Sequence, residues 1–277
     1  MAKQGEEKQR RGESPYHTQA VSRALQILSS FTPKDFELTV ADLHARLGIH
    51  KSTLVRLLQC MAQEGFVQQS PTSDGYRLGI KTFEIGNVYH RTRMKNIGAV
   101  ANPYMQRLVA RFGLSSNLAV RDETEIVYVE TVERQGSPMR VAYSAGDRFG
   151  VHHTALGKAL IAFLPSDQLE DVLEKIELTS LTPRTISTIE RLVEELAVIK
   201  ERGYAVDDEE SLPGLRCIGA AIWDSQRVVA ALSVSGSTLV VTEERLEAIA
   251  GEVVETARVI SSQLGASSRE MRSSSSR

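Results

Sequence analysis

The chain has 277 residues, enough for two domains that each bury a core, and its 42% hydrophobic and 25% charged content is that of an ordinary globular protein. A formal net charge of -2 excludes a protein that adheres to nucleic acid over its whole surface, so any contact with DNA must be made by a local patch. Cys60 and Cys217 form neither a disulfide framework nor a metal-ligand spacing, and no stretch has the apolar run of a signal peptide or a membrane span. The expectation is a cytoplasmic protein with reduced thiols, no cofactor and no membrane partner.

Residues 1–15 are polar and charge-mixed and predict a flexible arm whose Lys8, Arg10 and Arg11 could touch DNA or simply be solvated. A DNA-binding domain is expected over residues 16–79. From Thr18 a helix is predicted with Val21, Ala24, Leu25 and Leu28 on its packed face; Arg23 lies off that stripe, within reach of a phosphate or of solvent. Residues 32–37 read as a loop. Thr39 and Asp42 have capping-box spacing, Val40, Leu43 and Leu47 share one helical face, and Gly48 is a stop. In the next helix Leu54, Leu57, Leu58 and Met61 recur at helical spacing, with Ser52, Arg56, Gln59 and Gln63 opposite.

Phe66 and Val67, a polar turn ending in Asp74-Gly75, and Tyr76 to Leu78 predict a hairpin. Helix, tight turn, helix and hairpin make a winged helix-turn-helix, whose second helix is of a size to enter a major groove while the wing rests on the backbone. The same leucines would also suit a plain helical subdomain. The exposed chemistry favours DNA: Lys51, Ser52 and Thr53 suit phosphates, Arg56 suits a guanine edge, Gln59 and Arg77 flank them, and no acidic residue occurs from Lys51 to Gln63.

Residues 80–97 are expected to form a linker helix, with Ile80, Phe83, Val88 and Tyr89 followed by basic residues up to Lys95. Residues 98–265 are expected to form a second, α+β domain. It opens with a helix over residues 99–112. Short strands follow at Asn117 to Val120, Glu125 to Thr131 and Met139 to Tyr143, with a turn at Arg121-Asp122. Three further helices are expected: one of small and apolar residues after Thr154, one starting near Pro165, and one over residues 187–202. Residues 216–223 and 228–235 predict a hairpin, residues 242–264 a last helix, and residues 266–277 a Ser-rich disordered tail.

Three clusters in this domain could carry chemistry. The loop from Gly150 through His152 and His153 enters the Ala155 helix, whose free amides and dipole would favour an anion. The run Gly203 to Glu210 precedes Arg216-Cys217, and Ser233 and Ser235 alternate on one strand face. Together they suggest a pocket for a small anionic ligand, although each residue alone is as consistent with a structural role. Two other readings stay open: a hydrolase with Cys217 as nucleophile and His152 or His153 as base, and a DNA-binding protein without a ligand.

The segments Lys51 to Leu58, Tyr76 to Gly79, His153 to Ala159, Gly203 to Glu210 and Arg216 to Ile218, in that order, resemble the IclR family of bacterial transcriptional regulators. The resemblance covers residues 18–264. It implies an N-terminal winged helix joined by a helix to a GAF-like effector domain, assembly into dimers and tetramers on operator DNA, and control by a small carboxylate or aromatic acid. By motif matching, the effector contacts implied are the Ala155 and Leu156 amides, Asp207, Cys217, Ser233 and Ser235, and His153 before the same helix is a further candidate.

Overall fold

The computed structural model describes residues 18–32, 34–93, 97–134 and 143–267. The N-terminal arm, Lys95, nearly all of the strand expected at Met139–Tyr143 and the tail past Ser267 lie outside the described residues. The chain divides into two compact units, Met1–Lys95 and Asn96–Arg277.

In the first unit α1 (Gln19–Ser29), α2 (Val40–Leu47) and α3 (Lys51–Gln63) precede a hairpin of β1 (Val67–Gln69) and β2 (Tyr76–Leu78), and α4 (Ile80–Arg93) follows. The capping box at α2 is formed: the Thr39 hydroxyl accepts from the Asp42 amide and the Asp42 carboxylate accepts from the Thr39 amide. Gly48 ends α2 in the left-handed region, at φ 66°. Ile27, Leu43, Leu54, Leu58, Met61 and Val67 form the core.

One expectation for α1 is corrected. Ile27 is its fully buried residue, with Ala24 and Leu28 partly buried beside it, while Val21 and Leu25 are 56% and 57% exposed. The packed stripe is rotated from the predicted one because Ile27 fills the space above α2 and α3, leaving the Val21–Leu25 edge on a surface groove with Ser22, Ser29 and Leu47.

The second unit is built on one antiparallel sheet. Its elements are α5 (Ile97–Phe112), β3 (Ser115–Asp122), β4 (Glu125–Val132), β5 (Arg148–Gly150), α6 (Ala155–Ala162), α7 (Ser166–Lys175), α8 (Ile189–Arg202), β6 (Ala205–Asp208), β7 (Leu215–Trp223), β8 (Val228–Ser237) and α9 (Glu243–Gln263). The strand order is β5-β4-β3-β8-β7-β6, and this confirms the α+β class.

Alternation along the strands sends side chains to two cores. Leu118, Ile218, Ala220, Leu232 and Val234 pack with Met105 of α5 and Val253 of α9. Ala119, Cys217 and Ala231 face the other way, toward Leu156 and Leu160 of α6 and Leu196 of α8. β7 is therefore covered on both sides and buried nearly end to end.

Both edge strands, β5 and β6, are absent from the sequence reading. β6 carries Asp207 and Asp208, poor strand formers, and it forms because pairing with β7 buries Ala205 and Asp207. The turn expected at Arg121-Asp122 falls instead at Glu123-Thr124, because β3 stays paired with β4 through Asp122.

Candidate functional site

The exposed side of α3 carries Lys51, Ser52, Arg56 and Gln59, while Leu54, Leu58 and Met61 face the core. Among the described residues, no hydrogen bond or ion pair engages the side chains of Lys51, Arg56 or Gln59. The Ser52 hydroxyl lies 2.9 Å from His50 Nδ1, and Thr53 is half-buried at the helix start. α3 has no side-chain N-cap, so its first amides remain open to an acceptor.

Two other predicted DNA contacts are placed differently. Arg23 is half-buried on α1. The Arg77 guanidinium is held by Glu37 at 2.5 Å and packs over the Phe36 ring, so its charge is largely matched within the unit. Glu37 also accepts from Ser70 and Ser73, which ties the wing to the loop before α2 and draws its carboxyl below the usual range. The end of the wing meets the turn after α3 closely at Gly79, where a β-carbon would stand 2.1 Å from the Gly65 carbonyl oxygen.

In the second unit the register brings several predicted residues together. Asp207 pairs with Cys217 and Cys217 with Ser235, making one cross-strand row over β6, β7 and β8. Two residues along, Gly219 pairs with Ser233, Ser233 with Asn117 and Asn117 with Thr131. A spacing of two keeps both rows on the face covered by α6.

The start of α6 lies on Gly219, close to the backbone of Ala155 and Leu156. Thr154 caps the Gly157 amide at 3.0 Å. The Ala155 and Leu156 amides make no hydrogen bond among the described residues, although both residues are 2% exposed. Buried donors of this kind over a sheet face lined with hydroxyls can hold a carboxylate.

Asp207 is committed to structure. Its carboxylate accepts from the amides of Glu210 and Ser211 and from the Ser211 hydroxyl, organising the loop after β6 while burial raises its pKa. Burial likewise pushes the Cys217 thiol well up. A buried mid-strand thiol with a raised pKa, and with no hydrogen bond to either histidine, is the reverse of an activated nucleophile.

His153 is not brought to these rows. With His152 it lines a separate cavity of about 300 Å³, beside Glu125, Lys175 and Thr179. The Thr179 carbonyl accepts from His152 Nε2 at 3.1 Å, and Nδ1 of both histidines is buried without a partner. Burial pushes His153 down to about 4.

Sequence reasoning missed several contributors. Tyr128 and Tyr143 stack at 4.6 Å with Phe149 edge-on, and burial raises both phenols. Asn117 is wholly buried, and the Lys158 ammonium of α6 pairs with Glu210 in the interior. A mid-strand asparagine and a lysine among small apolar helix residues were the available signals.

Comparison with known proteins identifies the family of both units. Residues 20–71 match the IclR helix-turn-helix domain and residues 90–262 the family described as bacterial transcriptional regulator IclR C-terminal. The chain is 37% identical over 249 residues to the HTH-type transcriptional regulator XynR of Escherichia coli, covering 89% of this chain and 97% of that protein. The Thermotoga maritima IclR structure superposes with a TM-score of 0.71 at 31% identity, over 90% of this chain and all of that one. An IclR homolog from Microbacterium hydrocarbonoxydans, solved in complex with 4-hydroxybenzoate, shares the fold with a TM-score of 0.77 at 24% identity, over 88% of this chain and 98% of that one. No helix among the described residues is long and apolar enough to cross a membrane. This chain belongs to the IclR family of bacterial transcriptional regulators and is not an enzyme.

Proposed function

We propose that the protein binds operator DNA through α3 and that a small organic acid held under α6 changes its operator affinity. The observation that carries the DNA half is the open face of α3, where Lys51, Arg56 and Gln59 stand exposed and unpaired on a helix without an acidic residue. Lys51, Ser52 and Thr53 serve the phosphates, and Arg56 and Gln59 serve base edges. Arg23 and Arg77 are secondary phosphate contacts, Arg77 weakened by its pairing with Glu37.

The ligand half is supported by the buried, unpartnered amides of Ala155 and Leu156 above Gly219, with Ser233, Ser235 and Cys217 beneath. Asp207 acts by shaping the loop, and His153, which lines a separate cavity, takes no part in the site. That the same fold holds 4-hydroxybenzoate in the Microbacterium homolog accords with a small acid.

Self-association is part of the proposal, first as a dimer and then as a pair of dimers. Ile80 and Phe83 of α4 are 69% and 67% exposed, and Val21 and Leu25 of α1 are also uncovered. Apolar area of this kind suits a second copy, and a dimer would read two half-sites of a near-palindromic operator.

The test is a band-shift titration of the purified protein against its own upstream DNA and against unrelated DNA, with and without candidate acids. Preference for the upstream DNA that an acid alters is the expected result. Equal affinity for both DNAs under every condition overturns the proposal.

A further inference from the structure

Asn117 is 0% exposed and donates from Nδ2 to Ser235 Oγ at 3.1 Å, yet its Oδ1 has no partner. Asp207 is an acceptor for the amides of Glu210 and Ser211. Cys217 stands cross-strand between Asp207 and Ser235. Ser235 Oγ receives its hydrogen bond from Asn117 Nδ2, and Oδ1 is the atom left over.

A second orphan lies beside it. Thr131 is the cross-strand neighbour of Asn117, and its Oγ1 is also buried without a partner. An uncompensated amide oxygen and an uncompensated hydroxyl on neighbouring strands are costly unless something fills the place. Both belong to the row that continues through Ser233 to Gly219, under the amides of Ala155 and Leu156. Gly219 and Asn117 are two strand spacings apart, about 9.6 Å.

We infer that Asn117 and Thr131 form the far end of the ligand site and accept a hydrogen bond from the ligand, which is a small acid carrying a hydroxyl or N–H remote from its carboxylate. This far end rests on the acid site proposed above. A two- or three-carbon acid would reach the amides of α6 and leave Asn117 empty. A longer hydroxy acid satisfies both ends at once.

The test compares acids that differ only by a distal hydroxyl: 4-hydroxybenzoate against benzoate, and 5-hydroxypentanoate against pentanoate. Each is titrated calorimetrically into the wild type, Thr131→Val and Asn117→Ala. Within the pair that binds, the hydroxy acid should bind the wild type about tenfold tighter. That ratio should fall in Thr131→Val, a change of equal shape that removes only an unpartnered oxygen, and fall toward one in Asn117→Ala. If the hydroxyl gives no preference in the wild type, or the preference survives in both variants, the far end is wrong while the acid site stands. If none of the four acids binds, the acid site falls and the far end with it.

Discussion

Gly219 of β7 lies beneath Ala155 of α6 so closely that a β-carbon on it would stand 3.0 Å from the carbonyl carbon and oxygen of Ala155 and 3.2 Å from the Leu156 amide nitrogen. Those neighbours are backbone, which cannot rotate away. Gly219→Ala should therefore lift the start of α6 from the sheet and cost about 1–3 kcal/mol. Urea denaturation measures the loss, and affinity for a bound acid should fall with it. Unchanged stability and affinity would mean that α6 is not seated on the sheet at this point.

Lys158 and Glu210 form an ion pair in the interior, with Glu195 at 3.9 Å from the same ammonium. Burial pushes Glu210 up to about 7 against the pull of Lys158, and its Oε2 has no partner. Lys158→Met removes the compensating charge and should cost about 3–5 kcal/mol. The double variant Lys158→Met with Glu210→Leu should recover most of that, because the uncompensated carboxylate goes too. A denaturation series on the two variants decides this, and equal losses would contradict it.

His153 makes a pH dependence of stability predictable in sign. Its folded pKa of about 4 lies below the ordinary imidazole value of 6.5, because burial penalises the imidazolium. The unfolded chain binds the proton first as pH falls, so the contribution of neutral His153 is complete above about 6.5 and is lost between there and about 4. Glu210 runs in the opposite sense over an overlapping range, since its raised pKa makes stability fall as pH rises toward about 7. The contrast of wild type with His153→Gln isolates the histidine. Over that interval the wild type should lose about 3 kcal/mol more than the variant, as read from urea midpoints at each pH.

The elements legible in the sequence were those whose local chemistry agrees with their packing. The α2 cap at Thr39 and Asp42, the Gly48 stop, the leucines of α3 and the small-residue helix after Thr154 each carry a signal within a few residues. What escaped was set by partners distant in sequence. β6 forms because β7 runs beside it, α1 turns on Ile27 because of the space above α2 and α3, and Asn117 and Thr131 gain meaning only from the register that sets them in line with Ser233 and Gly219. His153 shows the converse: a motif suggested a ligand contact, and the fold turned its ring toward a separate cavity.

The exposed face of α3 predicts two distinguishable losses. Arg56 stands one turn beyond Lys51, both side chains unpaired among the described residues. If Arg56 forks onto a guanine, Arg56→Ala should cost about 1–3 kcal/mol on the preferred site and much less on unrelated DNA, so that base preference relaxes. Lys51 at the helix start meets a phosphate, so Lys51→Ala should weaken every sequence alike and reduce the slope of log affinity against log salt by about 0.9. Arg77→Ala should change that slope less, because Glu37 already matches its charge. Fluorescence anisotropy titrations at several salt concentrations on preferred and scrambled duplexes separate these cases. Wild-type affinity and slope in both the Arg56 and Lys51 variants would place the groove contact on another face of the unit.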